Sequence, residues 1–262
     1  MSMDEYRQFF FVFSMSLPRL YGCFLLLPIL SKQMLGSAIL QNGVLFSLAI
    51  FLYPIMAVQP LPEKISAFVV LVLIFKEIGI GMLISFIVTI PFWAVEAVGF
   101  FIDNQRGSTI GSSFNPALGD QSTPIGLLLT QTLVTIFFVS GSFIIFIEAI
   151  FESYISWPVV QFLPEITSDW IDFFFNQFEK LLTLCLVMAA PIVIAMFMAE
   201  FGLALISLFA PQLNVFTLSM PIKSAVANAL LVVYIYVIMA YFSESLTEII
   251  NFQRWLQPIL TN

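Results

Sequence analysis

The chain has 262 residues and no histidine among them. Imidazole-based acid–base catalysis, haem ligation through histidine and mixed Cys/His zinc sites are excluded with it. Cysteine is nearly absent. Cys23 and Cys185 each lie inside an apolar run without a second thiol nearby, the pattern of small buried hydrophobes. Charge is scarce at 10% of residues, and basic charge is scarcest, with nine Lys and Arg against sixteen Asp and Glu. The formal charge of −7 leaves no basic face to neutralise phosphates, which argues against nucleic acid as a partner. No P-loop, dinucleotide fingerprint, metal-ligand spacing or nucleophile elbow is present, and nothing resembles an intramembrane protease. The sequence therefore reads as a non-enzyme without cofactor or metal. It also lacks low-complexity tracts and internal repeats with periods of roughly 20–50 residues.

What is abundant is apolar surface. Hydrophobic residues make up 60% of the chain, against roughly 45–50% in soluble domains, and the mean hydropathy is +1.03. Thirty phenylalanines suit lipid contact and dense helix packing. These values define an integral membrane protein. Its start, MSMDEYRQFF, carries two acids before Arg7, and no small-residue cleavage site follows its apolar run. It reads as a retained first helix rather than a removable signal.

The apolar runs are Phe9–Leu30, Gly43–Val58, Ile65–Val98, Ile125–Ile147, Leu181–Ala210 and Ser224–Phe242. A crossing needs about 20 residues. The first, fourth and sixth runs each suit one crossing. Gly43–Val58 is short and ends near Pro54, whereas Ile65–Val98 and Leu181–Ala210 are overlong and contain Pro91 and Pro191. The expectation is an all-α, polytopic membrane protein of about six apolar helical segments, some bent or broken. The longest connection, Glu148–Lys180, is acidic and carries Trp157-Pro158 and Trp170, which suit a membrane interface. Bases are scattered too evenly to set an orientation. In the tail Glu244–Asn262, Leu246, Ile249, Ile250 and Leu256 share one helical face, consistent with a solvated end or a docking helix.

Between two membrane-grade runs stands the polar stretch Gly99–Pro116, GFFIDNQRGSTIGSSFNP. Gly107, Gly111 and Pro116 argue against continuous helix. At membrane depth such a segment survives only against protein or water, as in a pore or cavity. Ionisable residues inside apolar runs are functional candidates because their burial is costly unless they pair. Lys76 and Glu77 are adjacent, point about 100° apart on a helix, and each has the option of a partner on another helix. Glu96 is placed to reach Arg106 if the chain turns back between them. Glu200 stands alone, and Lys223 opens the last span. For each, a structural pair and a role in a conduction path are both open. Pro211 and Pro221 bracket an expected break between the last two helices.

Two segments carry a resemblance. The run Gly99–Gly107 (GFFIDNQRG), ending in Phe114-Asn115-Pro116, and the run Ala210–Ser224 (APQLNVFTLSMPIKS) resemble the two motifs of the type III secretion export-apparatus T subunit. This is the SctT/FliR family, and the wording is most similar to its YscT-type injectisome branch. Leu27–Gln33 and Gln41-Asn42-Gly43 fit as well, so the likeness runs nearly end to end.

The resemblance implies a single-copy, non-enzymatic subunit of an export gate in the bacterial inner membrane. Its implied partners are the R and S subunits, the U switch protein, the V export gate subunit and unfolded secreted proteins. It further implies one export-gate domain over residues 1–262: N-terminal helices 1–98, a polar plug loop 99–123, central helices 124–210 with the acidic connection 148–180, a break and last span 211–243, and a polar tail 244–262. The plug would comprise Gly107–Gly119, with Gly107, Gly111, Phe114, Asn115, Pro116 and Gly119 as its gating residues. Glu96, Asp103, Gln105 and Arg106 would anchor it. Lys76, Glu77, Glu200, Pro211, Asn214, Pro221 and Lys223 are expected at subunit contacts, and the tail at a contact with the U protein. Two other readings stand beside this one: a small-solute or ion transporter with its site at the broken third span, and a scaffold without gating.

Overall fold

The computed structural model describes residues 3–30, 37–57, 66–108, 123–161, 169–210, 212 and 214–260. Among the described residues there is no strand. The helices are α1 (Met3–Leu26), a 3-10 turn at Pro28–Leu30, α2 (Ala38–Ala57), α3 (Ala67–Gln105), α4 (Pro124–Val139), α5 (Ser142–Ser156), α6 (Asp169–Phe209) and α7 (Val215–Leu260). The all-α expectation holds. Five helices are long and apolar enough to cross a membrane, and α4 with α5 make a sixth span if the bent pair is taken as one. The chain is a multi-pass membrane protein.

Helix is the element that closes every backbone hydrogen bond within its own segment, which an apolar environment requires. Burial within a helix follows the helical period, but polarity does not change with it. In α2 the buried face is Leu45, Ala49, Leu52 and Met56, while Phe46, Ile50 and Phe51 point outward. In α4 the buried face is Ile125, Leu129, Leu133 and Phe137, with Leu127, Leu128 and Phe138 outside. Helices apolar all round belong in lipid or in a larger protein assembly.

Several sequence-based boundaries shift. The helix α2 begins at Ala38 and continues through Pro54, so the second run is a full 20-residue span. The fourth run is interrupted at Ser140-Gly141, where Gly141 takes φ 78°, a left-handed conformation that costs glycine little. The acidic connection is helical at both ends, with Glu148 and Glu152 in α5 and Asp169–Lys180 in α6. The break expected over Pro211–Pro221 is narrower. Here α6 ends at Phe209 and α7 starts at Val215, with Pro221 in its second turn. Prolines at 18, 54, 91, 191 and 221 all lie within helices. In apolar helices neighbouring groups and local adjustment satisfy the freed carbonyl, so proline marks a boundary less reliably than in water. The backbone of the tail continues α7 as far as Leu260.

Three helices are much longer than one crossing. With 39, 41 and 46 residues, α3, α6 and α7 extend about 58, 62 and 69 Å at 1.5 Å per residue, against a hydrocarbon core of about 30 Å.

The chain packs as two compact units: Met1–Thr89 with Ser140–Phe173 and Leu246–Asn262, and Ile90–Val139 with Phe174–Ser245. In the first, Phe24 meets Phe146 edge-on at 6.4 Å over a core that includes Leu20, Cys23 and Leu45. In the second, Phe92 meets Phe137 edge-on at 5.4 Å beside Val95, Val98 and Leu129.

Candidate functional site

The polar stretch starts later than its composition suggests. Residues Gly99–Gln105 form the last two turns of α3, and the helix stops at Gly107, whose φ is 79°. The Gly107 amide donates to the Asn104 carbonyl at 3.0 Å, a glycine cap of the kind that ends many helices. Gly99, at the head of the stretch, is a packing residue. A Cβ there would run into the backbone of Gly126, so α3 and α4 cross with their backbones nearly touching.

Asp103 spans the gap between those helices. Its Oδ2 accepts the Ile125 amide at 2.7 Å, and its Oδ1 lies 2.5 Å from Nη2 of Arg106. Thr123 Oγ1 accepts the Gly126 amide at 3.3 Å, and Pro124 follows it as the first helical residue. Thr123 therefore caps α4 and Asp103 satisfies a second orphan donor with a charge that suits a helix N-terminus. The wholly buried Asp103 joins the residues just before the polar stretch to those just after it. Arg106 also donates from Nη1 to Asn228 Oδ1 on α7 at 3.0 Å, and the Met220 side chain lies against Gly107.

Of the expected anchors, Asp103 and Arg106 are brought together, and Gln105 is the final residue of α3. Glu96 is not brought to Arg106. The helix does not turn back between them, and ten residues put them about 15 Å apart along the axis. Gly107 is described; Gly111, Phe114, Asn115, Pro116 and Gly119 lie outside the described residues, as does Pro211.

A second constellation lies in the other unit. Arg19 on α1 grips Glu77 on α3 with two bonds, Nε to Oε2 at 2.7 Å and Nη2 to Oε1 at 3.1 Å. Its remaining donors reach Ser153 Oγ and the Trp157 carbonyl, both at 3.0 Å, and its guanidinium lies 4.0 Å from the centre of the Tyr154 ring. The Tyr154 hydroxyl donates to the Ser16 carbonyl at 2.8 Å. Lys76 is 2.8 Å from Glu77 Oε1 and donates to the carbonyls of Val159 and Gln161 at 2.7 and 2.9 Å. Two cations thus share one carboxylate, and the surplus charge is met by backbone carbonyls of the segment that follows α5. A Cβ on Gly22 would strike the Ile78 carbonyl, and one on Gly81 the Arg19 carbonyl, so α1 and α3 also cross at close range.

Lys76 and Glu77 do meet, because the long lysine side chain curls back across the 100° between their helical positions. Glu77, expected at a subunit contact, is wholly buried within its own chain, and Lys76 is 10% exposed. Glu200 does not stand alone: Lys223 lies 3.1 Å from it. Asn214 caps α7, its Oδ1 accepting the Thr217 amide at 3.3 Å, and Pro221 is exposed one turn on.

Arg19, Thr123 and Asn228 were not singled out in the sequence. Arg19 was findable, being a lone base midway through the first apolar run, where the rule that selected Lys76 applies equally. The Thr123-Pro124 pair carries a readable capping signal. Asn228 is neutral and gave none.

Five or six spans long and apolar enough to cross a membrane, with ion pairs buried among them, define a class: polytopic membrane proteins with paired internal charges. Within it, the chain belongs to the bacterial export proteins, family 1, whose family model matches residues 10–249. It is 52% identical to Yop proteins translocation protein T of Yersinia pestis, over 95% of both chains. It is 36% identical to secretion system apparatus protein SsaT of Salmonella typhimurium, over 90% of this chain and 91% of that one. Flagellar biosynthetic protein FliR of Bacillus subtilis is 27% identical over 90% of this chain and 89% of its own.

Proposed function

We propose that this chain is a non-enzymatic subunit of a type III secretion export gate in the bacterial inner membrane. There it lines and closes a conduit for unfolded secreted proteins. The observation that carries this reading is the end-to-end likeness to a Yersinia translocation protein, at 52% identity over 95% of the chain. That likeness, with relatives named for secretion and flagellar biosynthesis, favours an export-apparatus subunit over a solute transporter.

The closing element in this reading is the plug Gly107–Gly119, with Phe114 as an apolar seal. The buried Asp103 supports it by tying the end of α3 to the start of α4, so that the intervening residues leave and return at one point. Helices of about 58–69 Å support residence in an assembly thicker than a bilayer core. The assembly partners in this reading are the R and S subunits, with the U switch protein and the V subunit adjoining, and one copy of this chain per gate. Asn214, Pro221, Glu200, Lys223 and Pro211 remain its candidate subunit contacts.

The test is deletion of residues 107–119 in cells that produce the whole apparatus. The complex should still purify as a hetero-oligomer with one copy of this chain, while the membrane leaks ions and small solutes. An assembled complex with unchanged permeability overturns the gating role and leaves a scaffold.

A further inference from the structure

We infer that the α6–α7 pair carries a binding site for the headgroup of a phospholipid bearing both a phosphate and a primary amine, the ethanolamine class. This goes beyond the gating proposal and does not depend on it. The site is a cavity of about 280 Å³ lined by Asn176, Glu179, Lys180, Thr183, Leu184, Val187 and Tyr241. It is slightly smaller than the roughly 300 Å³ at which clefts for drug-sized ligands begin, a size for a headgroup rather than a whole lipid.

The order of residues along α6 follows the order of a lipid's own chemistry. First come Asn176, Glu179, Lys180 and Thr183, then Leu184 and Val187. The apolar segment Phe174–Phe209 runs about 54 Å against a core of about 30 Å, so it extends past the core, and in this proposal its first turns are the end at headgroup level. Tyr241 enters near the far end of the apolar segment Val215–Leu246 of α7. A tyrosine there suits the interface, with its ring in the apolar zone and its hydroxyl among headgroups. Outward-facing Phe175, Phe178, Leu182 and Leu186 flank the polar lining, so the cavity interrupts an otherwise apolar wall.

The lining offers complementary charge to both halves of a zwitterion. The Lys180 ammonium, the Asn176 amide and the Thr183 and Tyr241 hydroxyls form a donor set for a phosphate. The Glu179 carboxylate is an acceptor for N–H bonds from a primary ammonium. A quaternary choline has no such N–H, and a glycerol headgroup has no positive charge for Glu179. The site should therefore favour ethanolamine over both.

The test uses the full-length chain in nanodiscs made from equal parts of palmitoyl-oleoyl phosphatidylethanolamine, phosphatidylcholine and phosphatidylglycerol, with retained lipids read by native mass spectrometry. Ethanolamine lipid should be retained about tenfold over the other two, the worth of one charge-assisted hydrogen bond. Glu179→Gln should remove most of that preference, and Lys180→Gln should lower retention of all three. Phe201→Leu, away from the cavity, should change nothing. Circular dichroism confirms that each variant stays helical, and Tyr241→Phe gives a gentler variant should Lys180→Gln fail to fold. In the assembled complex, a photo-crosslinker at position 183 should label lipid. Equal retention of the three lipids, indifference to Glu179→Gln, or capture of a protein helix at position 183 overturns the proposal.

Discussion

Arg19 and Glu77, 58 residues apart in sequence, meet as a two-pronged ion pair with both side chains wholly withdrawn from solvent. A buried pair of this kind is poor evidence of net stabilisation, since desolvating two ions offsets most of their attraction. Removing the carboxylate is another matter, because Arg19 and Lys76 both rely on it, whereas loss of Arg19 leaves Glu77 paired with Lys76. Glu77→Met should cost about 3–5 kcal/mol, read as a lower midpoint in denaturant titration of the detergent-solubilised chain. Arg19→Met with Glu77→Met should recover most of that loss, since Lys76 keeps its carbonyl acceptors at Val159 and Gln161. Equal losses in single and double variants would show that the cluster matters for packing alone.

The close helix crossings give a sharper contrast. A Cβ on Gly99 meets backbone rather than a flexible side chain, whereas one on Gly43 or Gly202 meets nothing within 4 Å. Gly99→Ala should destabilise by about 1–3 kcal/mol through overpacking. Gly43→Ala and Gly202→Ala, both in helix interiors, should be neutral or stabilising by up to about 1 kcal/mol. Thermal unfolding of the three variants side by side distinguishes a crossing constraint from a general dislike of added methyl groups.

The same residue shows what was legible in the sequence and what was not. Helical class, membrane residence and the approximate spans follow from apolar runs alone, because helix is the form that satisfies a backbone in lipid. Boundaries were harder for two physical reasons. Proline within an apolar helix leaves a carbonyl that neighbours can satisfy, so Pro54 and Pro221 did not end their helices. Glycine has two unrelated uses. At Gly107 and Gly141 it turns the chain, and at Gly99 it lets two helices touch. Only the positions of other helices distinguish those uses, and no local pattern carries that information. The pairing of Asp103 was half legible: Arg106 lies three residues away, but the Ile125 amide lies across an intervening segment.

Asp103 serves two masters, and substitution can separate them. Asn at 103 keeps an oxygen for the Ile125 amide and loses the charge facing Arg106, whereas Ala loses both. Asp103→Ala should cost about 1–3 kcal/mol for the orphaned buried donor, in addition to the stranded Arg106. Asp103→Asn should retain part of the stability. If the tie at the base of the polar stretch keeps the gate shut, membrane leakage in cells with the whole apparatus should rank Ala above Asn above the unaltered chain. A reversed or flat ranking would separate stability at this point from closure.

The pair Glu200–Lys223 tests whether a charge serves its own chain or a neighbour. Its nitrogen and oxygen lie 3.1 Å apart, with Lys223 12% and Glu200 40% exposed. A pair whose carboxylate is this exposed contributes at most about 1 kcal/mol. Glu200→Gln or Lys223→Gln should therefore shift the isolated chain's unfolding far less than Glu77→Met does. The exchange Glu200→Lys with Lys223→Glu restores the internal pair while reversing what it shows to the outside. If these residues lie at a subunit contact, the exchanged chain should unfold like the original yet be recovered in the hetero-oligomer at a clearly reduced level. Full recovery of the complex along with the pair would confine both residues to holding α6 and α7 together.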